Sequence, residues 1–155
     1  MFRELYAEAR DAGLRLTAHG GESVGPESIW AAINIGAERI GHGLTAIHDQ
    51  ELMSVLAERQ IPIEVCISSN IRTGCALQLA QHPVRRYFDE GLMVTLNSDD
   101  PAMFASDLEE EYALAARDFG FTNEHLRELA ANSIEASFLP AERKVEILRA
   151  FDAVS

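Results

Sequence analysis

The chain has 155 residues, 47% apolar and 25% charged, the make-up of an ordinary globular domain with enough length to bury a sizeable core. Its formal net charge of -12, from 25 acidic against 13 basic side chains, argues against nucleic acid or an anionic membrane as a partner. The sequence holds no run of about 18 apolar residues that would span a bilayer and no signal-peptide pattern, and Cys66 and Cys75 lie outside any CxxC pair, which fits a reducing, cytoplasmic setting.

Along the chain, a helix with Phe2, Leu5 and Tyr6 on one face comes first. Leu14 to Ala18 reads as a short strand, and Gly25-Pro26 opens a helix reaching about Ile35, with Pro26 suited to the first turn. Arg39-Ile40-Gly41-His42 is a second strand ended by Gly43. Asp49 can cap the next helix, whose Leu52, Val55 and Leu56 share a face. Ile61 to Ile67 is a β-branched third strand, with Pro62 at its start where a missing N–H matters least. His82-Pro83 precedes a short helix to about Glu90, and Leu92 to Asn97 is the fourth strand. Ser106 followed by Glu109 reads as a capping box for a helix running towards Arg117, and Thr122 and Pro140 mark the starts of further helices.

Strands alternating with helices predict a parallel α/β sheet covered by helices, either doubly wound or part of a (β/α)8 barrel. No GxGxxG follows a strand, which weakens a dinucleotide-binding reading. Each strand instead ends in a polar cluster: His19-Gly20-Gly21-Glu22, Gly41-His42-Gly43, Ser68-Ser69-Asn70 and Asn97-Ser98-Asp99-Asp100-Pro101. In a βα barrel all such ends meet at one rim, where active sites are built. A histidine and an aspartate can ligate zinc, a second histidine can hold or deprotonate a water, and a glutamate can donate a proton.

Taken singly, each cluster has a plainer reading. His19 can be a satisfied structural histidine, His42 a turn residue between glycines, and Asp99-Asp100-Pro101 an ordinary turn. Ser68-Ser69-Asn70 is common loop chemistry, and Cys66 fits an inert buried thiol. His48, His82 and His125 are expected on the surface or as caps. The functional case is the joint pattern at four successive strand ends.

That pattern resembles the adenosine deaminases. His19-Gly20-Gly21-Glu22 is similar to their HAGE motif, Arg39 to Gly43 to RIGHG, Cys66 to Asn70 to C-P-x-S-N, and Asn97 to Pro101 to N-T-D-D-P, in the same order; Asn132 to Phe138 also fits the family's tail. The resemblance runs from about Leu14 to Phe151. It implies strands five to eight, plus extra C-terminal helices, of an amidohydrolase-type (β/α)8 barrel. It also implies one zinc ion held in part by His19 and Asp99. Glu22 would protonate a purine ring nitrogen and Gly21 would offer its N–H to another. His42 would orient and deprotonate the attacking water, and Asp100 would bond the imidazole side of the base. Ser69, Asn70 and Arg72 complete the expected substrate contacts. The implied reaction is hydrolytic loss of ammonia from a 6-aminopurine nucleoside. Ser69 to Thr73 looks closer to the bacterial aminofutalosine deaminases than to animal adenosine deaminases; there Arg72 could pair with the substrate carboxylate or could be a plain surface arginine.

Two departures are small: Gly20 stands where the family has Ala, and Ile67 where it has Pro. The larger one is that a full barrel takes about 250 residues, and no H-x-H ligand pair occurs in this sequence. The expectation is therefore a partial barrel domain over 1–155, lacking its N-terminal half, with zinc incompletely ligated. Unpaired strand edges and an exposed apolar face would favour self-association. The competing reading is a metal-free, inactive half-barrel remnant or interaction module.

Overall fold

The computed structural model describes residues 2–153. Four parallel strands, β1 (Thr17–Gly20), β2 (Arg39–His42), β3 (Ile63–Val65) and β4 (Val94–Leu96), lie side by side in chain order. Sequential order without a reversal is the topology of a barrel wall; a doubly wound sheet would switch direction at a crevice. The connecting helices are α1 (Phe2–Asp11) before β1, α2 (Glu27–Asn34), α3 (Gln50–Arg59), α4 (Ile67–Arg72) and α5 (Val84–Asp89). The helices α6 (Pro101–Phe104), α7 (Leu108–Phe119), α8 (Asn123–Glu135) and α9 (Ala141–Asp152) follow β4.

Strand alternation sorts the side chains into two faces. Ile40, Ile63, Val65, Val94 and Leu96 are buried with Ile29 of α2, Leu52 and Leu56 of α3, and Val84 and Tyr87 of α5. Each fully buried Ile or Leu contributes about 1.5–3 kcal/mol, so this layer fixes the wall. The other face carries Thr17, His19, Arg39, Gly41, Glu64 and Thr95, which the register places together. It is polar, not the apolar surface that the sequence led us to expect. Arg39 pairs with Glu64 across β2 and β3 at 2.9 Å. Its guanidinium also stacks 4.1 Å from the centre of the Phe138 ring, just beyond α8.

Most expected elements appear, several of them shorter. β1 begins at Thr17 rather than Leu14 because Gly13 turns the chain out of α1, and Leu16 is held by Glu38, whose carboxylate accepts its N–H at 3.0 Å. β3 stops at Val65, two residues before the expected end, because Ile67 starts a helix. Ser68, Ser69 and Asn70 accordingly lie in α4 and not in a loop. The start of α7 also differs. Asp107, not Ser106, caps it by accepting the Glu110 N–H at 2.9 Å. Ser106 instead donates to the buried Glu111 carboxylate at 3.0 Å. Asp49 and Thr122 cap α3 and α8 as expected.

Candidate active site

The carboxyl ends of the strands bring His19, His42, Asn97, Ser98 and Asp99 to the wall of one cavity of about 420 Å³, with Glu64 and Cys66 below them. His19 projects from β1 over Gly41. A Cβ built on Gly41 would stand 2.5 Å from Cδ2 of the His19 ring, so glycine there is what leaves room for the imidazole. His42 ends β2 and meets His19 edge-on, with ring centres 4.7 Å apart. Glu22, just past β1, approaches Nε2 of His42 with a carboxylate oxygen at 3.6 Å.

Four non-glycine residues among those described have left-handed backbone, and two of them are His42 (φ 66) and Asp99 (φ 58). That conformation costs about 1–3 kcal/mol per residue and clusters at functional sites. Buried groups hold both residues in place. The hydroxyl of Tyr87 donates toward the carbonyls of Gly43 and Leu44 at 2.9 and 3.0 Å and accepts the Ile47 N–H, pinning the turn after His42. The buried Ser69 hydroxyl donates to Oδ2 of Asp99 at 2.7 Å.

Burial lowers the pKa of His42, an effect that the Glu22 carboxylate partly opposes. Burial, with Asp99 and Glu111 nearby, pushes the Cys66 thiol up to about 12. Cys66 therefore stays a protonated thiol, as expected of an inert residue, although its sulfur lies within 4.8 Å of donor atoms of His42 and Asp99.

His42 shares one 4.8 Å donor cluster with His19 and Glu22 and a second with Cys66 and Asp99. Imidazole nitrogen and carboxylate oxygen at exposed positions suit zinc or a similar divalent ion. Each group offers donors that a metal takes; His19 and Asp99 are the exposed donors, one in each group, and His42 is common to both.

The remaining expected site residues separate. Ser69 and Asn70 are fully buried and act on Asp99 and His42 instead of facing the cavity. Asp100 caps α6, accepting the Met103 N–H at 2.8 Å. The Gly21 N–H is donated to Ser28 Oγ at 2.7 Å, so a ligand atom would have to displace that hydroxyl. Arg72 is exposed and lines a different cavity, with Asp107, Glu109 and Glu110, apart from the histidines. Sequence reasoning missed two supports. His82, expected on the surface, is buried and bonded to Asn70. The fully buried Glu111 accepts from the Ile67 and Ser68 N–H groups. The only signal for Glu111 was a polar residue at an inward helical position, and His82, which precedes α5, gave none.

A parallel strand-helix wall with histidine, glutamate and aspartate gathered at the carboxyl ends is the half-barrel arrangement of an amidohydrolase. The sequence matches the family described as adenosine deaminase over residues 1–154, and the chain belongs to that family. It is 43% identical over 150 residues to an adenosine deaminase of Klebsiella pneumoniae, covering 96% of this chain and 45% of that protein. Against an adenosine deaminase of Yersinia pseudotuberculosis it is 46% identical over 145 residues, covering 93% and 43%. Among solved structures, an adenine deaminase from Arthrobacter aurescens superposes with a TM-score of 0.94 at 35% identity, covering 98% of this chain and 47% of that one. An amidohydrolase from Burkholderia ambifaria with bound Zn gives 0.90 at 30% identity, covering 98% and 43%. These neighbours are TIM-barrel proteins, so β1 to β4 are half of such a barrel, and the chain spans less than half the length of the relatives it matches.

Proposed function

We propose that this chain supplies the C-terminal half of a zinc-dependent aminohydrolase, which replaces the 6-amino group of a purine nucleoside by oxygen and releases ammonia. The observation that carries the reading is the meeting of His19, His42 and Asp99 at one cavity, with Glu22 against His42. The names of the relatives support the substrate class: adenosine deaminases, an adenine deaminase and an N6-methyl-AMP deaminase from Arabidopsis thaliana. All three names describe an amine at the same purine carbon.

His19 and Asp99 would hold the metal. Bound there, zinc makes water available as a nucleophile near neutral pH by lowering its pKa to about 7. His42, on the cavity wall, orients the water that adds through oxygen to the amino-bearing ring carbon. Glu22 gives its proton to the adjacent ring nitrogen. Of the water's two protons, one leaves on the departing amine and the other restores Glu22 as the carbonyl forms, so one water enters and one ammonia departs. Asp99, held by Ser69, cannot swing away as charge builds. Arg72 lines a cavity apart from the histidines, and the curated relatives are named adenosine deaminases; adenosine is therefore the first substrate to assay.

The test is elemental analysis of the purified chain, followed by ammonia release from adenosine, adenine and aminofutalosine. Zinc retained at one per chain or per pair of chains, together with turnover of an aminopurine, is the expected result. A chain that holds no metal and releases no ammonia is the remnant or interaction module instead.

A further inference from the structure

Behind His42 lies a line of buried groups that the reaction itself does not use. The Val84 N–H, at the start of α5, donates to Nδ1 of His82 at 3.3 Å. His82 Nε2 lies 3.1 Å from Oδ1 of Asn70, and Nδ2 of Asn70 lies 3.2 Å from Nδ1 of His42. All three side chains are buried. A backbone N–H can only donate, and this fixes every later proton. Nδ1 of His82 must accept, so a neutral His82 carries its proton on Nε2. That N–H needs an acceptor, so the atom of Asn70 facing it is the carbonyl oxygen, and the amide NH₂ is turned toward His42. Nδ1 of His42 must then accept, and its single proton sits on Nε2, the nitrogen beside Glu22.

We infer that His82 is a positioning residue: through Asn70 it holds His42 as the Nε2–H tautomer, so that His42 presents a hydrogen-bond donor to the cavity. Burial keeps His82 neutral, with its pKa near 4. In the Nε2–H tautomer, His42 orients an oxygen atom by donating to it. To take a proton at Nε2, His42 would need its own proton on Nδ1; the Asn70 amide would then have to flip and the His82 proton move to Nδ1, leaving the Val84 N–H facing another donor. The relay stands on the chain's own hydrogen bonds; only its consequence for the water rests on the proposed function.

The experiment is a long-range proton–nitrogen correlation spectrum of the ¹⁵N-labelled, chelator-treated full chain, which reports each ring nitrogen of its five histidines as bare or protonated. The expected result is bare Nδ1 and protonated Nε2 for both His82 and His42. Asn70→Asp offers only acceptor oxygens and should invert His42, moving its proton to Nδ1. His82→Leu should leave His42 as a mixture of tautomers, and His82→Gln, which restores an N–H toward Asn70, should return it to Nε2–H. A wild-type His42 protonated on Nδ1 would overturn the inference. So would an unchanged His42 in Asn70→Asp, or a His82→Gln chain that behaves like His82→Leu. No activity is read, so failure of the deaminase assay and failure of the relay are separate results.

Discussion

Glu111 offers the sharpest test of how the site is held. Its carboxylate, fully buried on α7, accepts the Ile67 and Ser68 N–H groups at 2.9 and 3.1 Å and the Ser106 hydroxyl at 3.0 Å. The first two are free amides at the start of α4, so Glu111 ends β3 and begins the helix that carries Ser69 and Asn70. In Glu111→Ala, Ser106 can turn to Ser68 Oγ at 3.2 Å, but the two amides keep no acceptor. Each stranded donor costs about 1–3 kcal/mol, and removing a buried charge returns part of that sum. We expect a net loss of about 3 kcal/mol, large against a total of about 5–15 kcal/mol. Glu111→Gln keeps the volume and one oxygen, and should lose about half as much, on the order of 1–2 kcal/mol. Urea unfolding at constant m-value reads the stability, and amide exchange at Ile67 and Ser68 reads the location. An alanine variant within about 0.5 kcal/mol of wild type, the range of a neutral surface change, would refute the reasoning.

Three more outcomes are expected. Gly41→Ala puts a methyl where His19 Cδ2 now lies, 2.5 Å from the built Cβ; zinc affinity, followed by calorimetric titration, should fall by about tenfold or more, and unchanged affinity would remove His19 from the ligand set. His82 titrates near 4 in the folded chain against about 6.5 unfolded. The unfolded state therefore gains the proton first as pH falls, and about 3 kcal/mol should be lost between pH 6.5 and 4. Urea midpoints of wild type and the non-titrating His82→Gln should converge across that window; parallel curves would contradict it. The sheet edges at β1 and β4 and the exposed Phe2 and Leu5 should make the isolated chain self-associate, and concentration-independent monomers in light scattering would count against that.

The sequence was legible where chemistry is local. All four strands, the Asp49 and Thr122 caps and the rim clusters could be read from alternation, capping residues and strand-end polar runs. The boundary of β3 was not, because the acceptor that stops the strand is Glu111, more than 40 residues away. Ser69 and Asn70 looked like loop residues for the same reason: the helix they occupy is nucleated by that distant carboxylate. His82-Pro83 reads as a helix start, and it is one, yet nothing local says that the ring turns inward to Asn70. Arg72, the last residue of α4, lines a cavity with the acidic start of α7, a long-range placement that its neighbours in sequence do not announce.

The division between exposed and buried groups bears on what a missing barrel half would change. His19 and Asp99 are exposed, while the groups that orient their surroundings, Ser69, Asn70, His82 and Tyr87, are buried within this chain. The left-handed backbone at His42 and Asp99 is thus maintained by contacts already complete between β1 and α8. A partner that completes the barrel would add ligands and exclude water without having to reorder these residues. Weak metal binding by the chain alone would then reflect the number of ligands, because their geometry is already held. Zinc affinity should accordingly rise when imidazole is supplied in solution to fill the open positions, and it should not rise in Ser69→Ala, where Asp99 has lost the hydroxyl at 2.7 Å that fixes it.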